Sequence, residues 1–381
     1  MMICEHPVIE VGMHFDAAQG GVDRYFQRLT EGLRTNGQPC TAFAFGSAPG
    51  TIPLEKWDGS TPASVCLGAM SDPLIHRLKA IRTAGQKVRP NGLVASHFSL
   101  YAAAIPHLQQ RRHVVHFHGP WADESAREGQ SRVAVMAKRW IENRVYRSAD
   151  RFIVLSSAFR NVLSKDYRIP AEKIRIVPGG VETERFIPRD KREARRRLGW
   201  PEKAPIVLCV RRLTNRMGLA SLIEAFAMLR PDHPEARLFI IGKGRLEAEL
   251  RQTASRTGCS ESVMFTGFLP DDELPFAYAA ADFSIVPSES LEGFGLTTLE
   301  SLGCGTPVLV TPVGGLPETV RELDSSLVLE GKDVAALAQG IRRGLAGELP
   351  SRAACRDYVE CRFDWRTIAR RVADVYEEVL S

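Results

Sequence analysis

Short apolar runs alternate with amphipathic segments along the whole chain. In the first half, buried strands are predicted in VIEVGMHF, TAFAF, GLVASH, HVVHFHG and RFIVLSS, and helices in RYFQRLTEGLRTNG, VMAKRWIENRVYRSAD and SAFRNVLSKDY. In the second half, strands are predicted in IVLCV, ARLFIIG, SVMFTG, FSIVPS and TPVLVT, and helices in SLIEAFAMLR, GRLEAELRQTASRTG, ELPFAYAAAD, VAALAQGIRRGLAG and WRTIARRVADVYEEVLS. This alternation is typical of two doubly wound α/β units with parallel sheets, which bind ligands at the carboxyl ends of strands.

One charged, proline-containing stretch separates the two halves. Residues 182–205, ETERFIPRDKREARRRLGWPEKAP, have weak hydrophobic patterning, as interdomain linkers do. A chain of 381 residues is long enough for two cores. We therefore predict one Rossmann-like domain over residues 1–185 and another over residues 186–364.

The composition is that of an ordinary soluble protein, with 44% hydrophobic and 25% charged residues. No apolar run approaches 18 residues, and the N-terminus lacks a basic segment followed by an apolar core. The eight cysteines are scattered without a C-x-x-C pair, which argues against a disulfide framework or zinc site. We expect a cytoplasmic protein.

The positive charge lies in the first half. Residues 1–185 hold 24 Lys and Arg against 17 Asp and Glu, whereas the remainder holds 26 against 28. A basic half suggests an anionic partner such as a phosphate, a nucleic acid or an acidic membrane surface, although a simply solvated surface explains most single arginines. The basic, amphipathic segment RVAVMAKRWIENRVYR, residues 132–147, leaves open peripheral contact with an anionic inner membrane face.

Glycine pairs lie where predicted strands lead into helices: Gly20 and Gly21, Gly242 and Gly244, and Gly293 and Gly295. The first turn of a helix offers free N–H donors and a partial positive charge, which suit a phosphate. None of these sites has the spacing of a dinucleotide fingerprint or a P-loop, and strand-to-helix turns use glycine for backbone reasons as well. Arg211, Arg212 and Arg216 follow another strand, where a guanidinium fork could bind a diphosphate or simply face solvent.

The stretch EGFGLTTLE, residues 292–300, resembles the E-x7-E motif of retaining GT-B glycosyltransferases. The longer stretch VPSESLEGFGLTTLESLGCGTPVLVTPVGGLPE is similar to the donor-binding core of glycosyltransferase family 4. The resemblance extends through PGGVETERF, RRLTNRMGL, LFIIGKGRL and VMFTGFLPDDEL, and in the first half through GGVDRY, HFHG and ADRFIVLSS. It implies an α/β GT-B enzyme with two Rossmann-like domains facing a cleft, the first binding the acceptor and the second the nucleotide sugar. It also implies that the last helix, residues 365–381, crosses back onto the first domain.

The resemblance assigns roles to individual positions. Glu300 matches the glutamate that binds ribose hydroxyls, and Glu292 the one that contacts the transferred sugar. Arg212 matches the arginine that clamps the diphosphate, and His118 a histidine near the reacting centre. The remaining donor-site positions are matched as follows: Gly20 and Gly21 to the loop that closes over the phosphates, Phe294, Gly295 and Leu296 to backbone donors, Gly242 to the strand-to-helix glycine, and Phe268 and Leu269 to the segment lining the base.

One departure from the family pattern stands in the phosphate-binding stretch. Many members read G-R-L-x-x-x-K-G, whereas here Arg211 replaces the glycine and Met217 the lysine. Arg216 precedes the missing lysine, and we expect it to be the candidate for the second phosphate cation.

The charges around Gly295 fit the same chemistry. If a helix begins there, a diphosphate can bind its N-terminus while Glu292 and Glu300 accept hydrogen bonds from hydroxyls on either side. The chain contains no Asp-x-Asp motif, and His116 and His118 have no evident third ligand, so we expect metal-independent transfer without a cofactor. The resemblance further implies retention at the anomeric carbon.

Three functions follow from these observations. The first is a hexosyltransferase that uses a UDP-sugar, or second a GDP-sugar, and a glycan or lipid-linked acceptor, with no nucleic-acid partner. The second is another enzyme on this fold, such as a sugar-nucleotide epimerase or a phosphorylase. The third is a non-catalytic nucleotide-sugar-binding component of a polysaccharide assembly.

Overall fold

Two α/β units make up the structure, a computed structural model that describes residues 8–16, 20–88 and 91–381. One unit runs through Gly179 and includes Trp365–Ser381, and the other is Gly180–Asp364. All seven cysteines among the described residues are free thiols.

The first unit contains a fully parallel eight-stranded sheet in the order β3-β4-β2-β1-β5-β6-β7-β8. Its strands are β1 (Val8–His14), β2 (Cys40–Phe45), β3 (Ile52–Pro53), β4 (Ala63–Cys66), β5 (Leu93–Ser96), β6 (Arg112–Phe117), β7 (Arg151–Val154) and β8 (Ile174–Ile176). Its helices are α1 (Gly21–Thr35), α2 (Leu74–Lys87), α3 (Ser99–Ala102), α4 (Trp121–Arg127), α5 (Arg132–Arg147), α6 (Ser157–Asp166) and the C-terminal helix α15 (Trp365–Leu380).

The second unit contains a fully parallel five-stranded sheet in the order β11-β10-β9-β12-β13. Its strands are β9 (Ile206–Val210), β10 (Arg237–Ile241), β11 (Val263–Gly267), β12 (Phe283–Val286) and β13 (Val308–Val310). Its helices are α7 (Lys191–Leu198), α8 (Leu219–Met228), α9 (Glu247–Arg256), α10 (Leu274–Ala280), α11 (Leu296–Gly303), α12 (Leu316–Val320), α13 (Val334–Leu345) and α14 (Arg352–Arg362). The predicted α/β architecture with two parallel sheets is thus confirmed.

Strand β1 shows how the buried alternation divides the first core. Ile9 and Val11 pack into one hydrophobic cluster, and Val8 packs into a second cluster that contains the apolar face of α15. Because successive strand residues point to opposite faces, Glu10 lies on the same side as Val8. A fully buried carboxylate therefore stands beneath α15, at a position where the strand pattern would place an apolar residue.

The stretch predicted as a linker, residues 182–205, contains helix α7. Asp190 caps the helix by accepting a hydrogen bond from the Glu193 amide. Arg195 is buried and donates to the Ala280 carbonyl and to the Asp282 carboxylate. The packed face of α7 is thus largely polar, which explains why its hydrophobic pattern is weak.

Candidate functional site

The ends of β9 and β12 meet in the second sheet at the point where the strand order reverses. In open α/β sheets this switch point, at the carboxyl ends of the strands, is where ligands bind. Arg211 and Arg212 directly follow β9, and Ser288 lies two residues beyond the end of β12. The topology therefore brings the predicted arginine and glutamate segments to one edge of the sheet.

Arg211, Ser288 and Glu292 form a closed cluster at this edge. Nη2 of Arg211 lies 2.9 Å from Oε2 of Glu292 and donates to Oγ of Ser288 at 3.1 Å. The Ser288 hydroxyl donates in turn to Oε2 of Glu292 at 3.0 Å. The side chains of Arg211 and Glu292 are only 8% and 11% exposed, so the ion pair is shielded from solvent.

The loop that carries Glu292 is fixed by its backbone. Leu291 has a left-handed φ of 52°, and its carbonyl accepts a hydrogen bond from Nη1 of Arg216 at 2.8 Å. Gly314 passes so close that a Cβ there would lie 1.9 Å from the Glu292 carbonyl oxygen. Arg216, expected as a second phosphate cation, therefore has one of its N–H groups committed to the Glu292 loop.

Helix α11 begins directly after Gly295, as the sequence predicts. Gly295 has a φ of 89°, and a Cβ there would lie 2.5 Å from Cδ2 of Leu316, so the turn requires glycine. Leu296 is the first helical residue, and the Phe294 side chain is buried against Phe363, which leaves only its backbone for a ligand. The free N–H groups of this helix end follow Glu292 in the chain.

Glu300 lies within α11 and is 4% exposed. Its Oε2 accepts a hydrogen bond from the Tyr278 hydroxyl at 3.0 Å. The two glutamates of the motif are thus held differently, Glu292 by an arginine and a serine and Glu300 by a tyrosine.

Arg212 contrasts with its neighbour Arg211. Its side chain is exposed and forms no hydrogen bond or ion pair with any other residue that the structure describes. An exposed guanidinium beside the switch point remains available for an anion.

The next strand ends bring the other predicted donor residues to the same edge. Gly242 follows β10, and a Cβ there would lie 1.9 Å from the Arg211 carbonyl oxygen, so this glycine permits the close approach of two loops. Phe268 and Leu269 follow β11, and the Phe268 ring is 53% exposed. Nζ of Lys243 lies 5.5 Å from the centroid of the Phe268 ring. An exposed aromatic ring can stack on a nucleobase.

In the first unit, Gly20 is the N-cap residue of helix α1 and Gly21 is its first residue, while residues 17–19 lie outside the described part. Asp23 accepts a hydrogen bond from the backbone N–H of His14 at 3.1 Å. Burial raises the pKa of Asp23 to about 6. The first turn of α1 therefore carries a partly buried carboxyl group next to the predicted phosphate loop.

His118 is joined to a buried chain of polar side chains. Nε2 of His118 lies 3.0 Å from Nδ1 of His97, whose Nε2 lies 2.9 Å from Oε2 of Glu10. The Tyr376 hydroxyl, on α15, lies 2.6 Å from Oε1 of Glu10 and 2.7 Å from Nε2 of His116. We refer to these residues, together with Tyr25 at 3.3 Å from Nδ1 of His116, as the histidine chain.

Burial keeps the rings of this chain neutral. It lowers the pKa of His97 to about 3 and the pKa values of His116 and His118 well below the usual value, while it raises the pKa of Glu10. Glu10, His97 and His116 offer ligand atoms within 4.8 Å of one another, which is the spacing of a metal site. The facing atoms are, however, already paired within the chain.

The site contains residues that sequence reasoning missed. The sequence predicts Arg211 as a replacement for glycine that could bind a diphosphate or face solvent, not as the partner of Glu292, and it does not single out Ser288, Tyr278 and Glu10. Glu10 had a signal, because a carboxylate in the middle of an apolar strand needs buried partners. The sequence contains no signal for the pairing of Arg211 with Glu292, because residues 211 and 292 are far apart in the chain.

Comparison with known proteins assigns both halves of the chain. Residues 190–361 match the family model of glycosyl transferases group 1, and residues 19–185 match that of glycosyltransferase family 4. A D-inositol 3-phosphate glycosyltransferase from Acidothermus cellulolyticus is 38% identical over 250 residues, which are 62% of this chain and 55% of that protein. A GDP-mannose-dependent monoacylated alpha-(1-6)-phosphatidylinositol monomannoside mannosyltransferase from Corynebacterium glutamicum is 35% identical over 53% of this chain and 55% of that protein.

The fold has solved counterparts over nearly its whole length. Sucrose-phosphate synthase from Thermosynechococcus elongatus has a TM-score of 0.79 and 24% identity, with 98% of this chain and 99% of that chain covered. The chain spans just over half the length of the curated relatives named above. The two family models together cover both units, and the chain belongs to the family 4 and group 1 glycosyltransferases with the GT-B fold.

Proposed function

We propose that this chain transfers a hexosyl group from a nucleotide sugar to a glycan or lipid-linked acceptor. One observation carries the proposal: the Arg211–Ser288–Glu292 cluster lies at the switch point, directly before the N-terminus of α11 and beside the exposed Arg212. This combination offers a carboxylate for sugar hydroxyls and positive charge for a diphosphate at one edge of the sheet.

The chemistry then divides among these groups. The bond between the anomeric carbon and the diphosphate oxygen breaks, and the acceptor hydroxyl oxygen forms the new bond while its proton passes to the departing diphosphate. Arg212 and the N–H groups of α11 stabilise the negative charge that develops on the leaving group. Glu292 holds the sugar and Glu300 the ribose, and we propose retention at the anomeric carbon without a metal ion.

The donor is proposed to be a UDP-sugar or a GDP-sugar. A UDP-sugar is the first expectation from the sequence and a GDP-sugar the second, whereas the relative from Corynebacterium glutamicum is named as GDP-mannose-dependent. Phe268, exposed and beside Lys243, supplies a stacking surface that does not distinguish the two bases.

The acceptor is proposed to carry a phosphate. The two relatives are named for inositol 3-phosphate and for a phosphatidylinositol mannoside. Residues 1–185 carry 24 basic against 17 acidic residues, a balance that favours anionic acceptors.

Helix α5 is proposed to rest on an anionic membrane surface. Val133, Met136 and Trp140 are 78%, 71% and 65% exposed, and their spacing places them on one face of the helix. Arg132, Arg144 and Arg147 are also exposed and form no ion pair with another described residue. The guanidinium carbon of Arg144 lies 5.9 Å from the centroid of the Trp140 ring. Apolar side chains flanked by exposed cations fit a bilayer interface with acidic lipids. In the described part of the chain, no helix has the length and apolarity needed to cross a bilayer.

The donor site is tested with the substitution Glu300→Gln and the control Glu249→Gln, an exposed position on α9. Thermal shifts with UDP, GDP and ADP rank the bases, and donor hydrolysis with the matching nucleotide sugars follows. We expect a nucleotide-dependent shift in the unmodified protein and in the control, and its loss in Glu300→Gln. Full turnover by Glu300→Gln with every nucleotide sugar would refute the donor site. An isomerised nucleotide sugar in the absence of acceptor would identify an epimerase, and tight binding without turnover a non-catalytic binder.

A further inference from the structure

The histidine chain runs from the core of the first unit to His118, which follows the end of β6. Three neighbouring strands, β1, β5 and β6, lead to Glu10, His97 and His116 on the face that α15 covers. Alternation along β6 puts His116 and His118 on the same face. The rings of His97 and His118 are stacked with their centroids 5.2 Å apart.

When Glu10 is ionised, every hydrogen bond of the histidine chain can be assigned one donor and one acceptor. A carboxylate only accepts, so Tyr376 donates to Oε1 of Glu10 and His97 donates to Oε2 through Nε2–H. The Tyr376 oxygen then accepts from Nε2–H of His116, and the unprotonated Nδ1 of His116 accepts from Tyr25. Every contact in the chain is satisfied in this arrangement.

The same assignment of donors and acceptors determines the tautomer of His118. A neutral His97 that donates through Nε2 has an unprotonated Nδ1, which must accept a hydrogen bond from Nε2–H of His118. His118 is then the Nε2–H tautomer, and its Nδ1 carries a lone pair. A protonated Glu10 that donates to His97 would reverse both rings and leave His118 with an N–H at Nδ1.

The distances favour the ionised arrangement. The Tyr376 hydroxyl lies 2.6 Å from Glu10, within the range of O–H bonds to a carboxylate anion. The Tyr376 hydroxyl donates to one oxygen of Glu10, and a His97 ring protonated at Nε2 donates to the other, so both contacts compensate for the cost of burying an ionised Glu10. Burial acts in the opposite direction, and it raises the pKa of Glu10 despite the Tyr376 hydrogen bond and the neighbouring charges.

We propose that Glu10, acting through His97, holds His118 as the Nε2–H tautomer and so makes Nδ1 of His118 a hydrogen-bond acceptor at the reacting site. Glu10 and His97 are thus positioning residues for the transfer reaction, in a role that rests on the proposed function. A lone pair at Nδ1 suits an acceptor or sugar hydroxyl, whereas an N–H there would suit an anionic oxygen.

The direct test is long-range proton–nitrogen NMR of the full chain labelled with ¹⁵N-histidine, with His118 assigned from the substitution His118→Gln. We expect the Nε2–H tautomer for His118 in the unmodified protein. In Glu10→Gln we expect the Nδ1–H form to become populated. The matched control is Glu142→Gln, which alters another fully buried glutamate of the same unit that accepts from Tyr167 at 2.8 Å, and it should leave the His118 signals unchanged.

Tyr376→Phe provides a second variant should Glu10→Gln fail to fold. It removes the bond to His116 and one of the hydrogen bonds that favour an ionised Glu10, so the His116 signals should change and the Nδ1–H form of His118 should become populated, as in Glu10→Gln. An Nδ1–H form of His118 in the unmodified protein, or an unchanged tautomer in folded Glu10→Gln, would overturn the proposal. A stoichiometric bound metal that shifts the signals of His97 and His116 would overturn it as well.

Kinetics then connect the tautomer to the reaction. For Glu10→Gln we expect kcat to fall at least about tenfold while the KM for the donor changes less than about twofold, because most of the proposed donor contacts lie in the second unit and Glu10 is not among them. Equal kcat in Glu10→Gln and Glu142→Gln would overturn the positioning role. Since the NMR result needs no turnover, a failure of the proposed function leaves the tautomer assignment decided on its own.

Discussion

Arg211 holds Glu292, the first glutamate of the E-x7-E motif, by an ion pair of 2.9 Å in which both side chains are nearly buried. Nε of Arg211 is also buried and has no hydrogen-bond partner among the described residues. The ion pair therefore fixes the orientation of Glu292, although it leaves the buried Nε–H of Arg211 without a hydrogen bond to a described residue. The sequence resemblance places a glycine at this position in many family members, and a glycine has no side chain that could form this ion pair.

We expect Arg211→Ala to destabilise the second unit by about 2–3 kcal/mol, because it leaves the Glu292 charge without its partner. Urea unfolding followed by tryptophan fluorescence measures the change. The double substitution Arg211→Ala with Glu292→Gln should recover part of the loss, since it removes the unpaired charge. An unfolding free energy unchanged by Arg211→Ala would show that the ion pair does not form in solution.

Arg212→Ala should have the opposite effect. Its side chain is exposed and unpaired among the described residues, so we expect stability to change by less than about 0.5 kcal/mol. Loss of a charged hydrogen bond to the diphosphate should instead weaken UDP or GDP binding by about tenfold to a hundredfold. Calorimetric titration of the nucleotide measures this, with Arg342→Ala, an exposed arginine on α13 of the same unit, as the control. Unchanged nucleotide affinity would remove Arg212 from the diphosphate site.

The donor-site segment around Glu292 shows which features the sequence alone can predict and which it cannot. The motif and the helix start at Gly295 follow from local rules, because a glycine turn and an apolar helix face are both written in adjacent residues. The pairing of residues 211 and 292 depends on the order of β9 and β12 in the sheet and on the path of the 288–292 loop. Neither is contained in a local pattern.

The histidine chain, in the first unit, also combines one feature that a local pattern predicts with contacts that it does not predict. Alternation along β6 predicts that His116 and His118 share a face, and both rings contact the Tyr25 ring. Their connection through His97 and Glu10 requires the β1-β5-β6 strand order and a tyrosine from the last helix. Helix α7 was missed for a different reason, because its packing depends on the buried Arg195 and not on apolar side chains.

Acid should destabilise the first unit through His113. This ring is fully buried between Oγ of Ser96 at 2.8 Å and Oγ of Ser148 at 3.2 Å, and burial lowers its pKa to about 3. The unfolded chain takes up a proton near its ordinary pKa of 6.5 while the folded chain does not. The stabilisation is therefore complete above about pH 6.5 and is lost progressively as the pH falls towards 3.

The measurement compares the difference in unfolding free energy between the unmodified protein and His113→Gln at two pH values. At pH 5 the lost stabilisation from one such histidine is about 2 kcal/mol. The stability advantage of the unmodified protein over His113→Gln should shrink by about this amount between pH 7 and pH 5, whatever its value at pH 7. The exposed His76→Gln serves as control, with no change expected. An advantage that is constant with pH would mean that His113 is charged, or is exposed, in the folded protein.

Membrane contact through α5 predicts two separable effects. The substitutions Val133→Ser, Met136→Ser and Trp140→Ser together should reduce sedimentation with vesicles of phosphatidylcholine and about one-third phosphatidylglycerol by at least about tenfold, because three exposed apolar side chains no longer insert. Replacing Arg132, Arg144 and Arg147 by Gln should also weaken binding and remove most of its salt dependence, because each cation contributes about 1 kcal/mol at an acidic surface. Met228→Ser with Met264→Ser, which removes exposed apolar side chains from the second unit, is the matched control and should bind like the unmodified protein. If both α5 variants sediment with the acidic vesicles as strongly as the control does, the exposed face of α5 does not bind a bilayer.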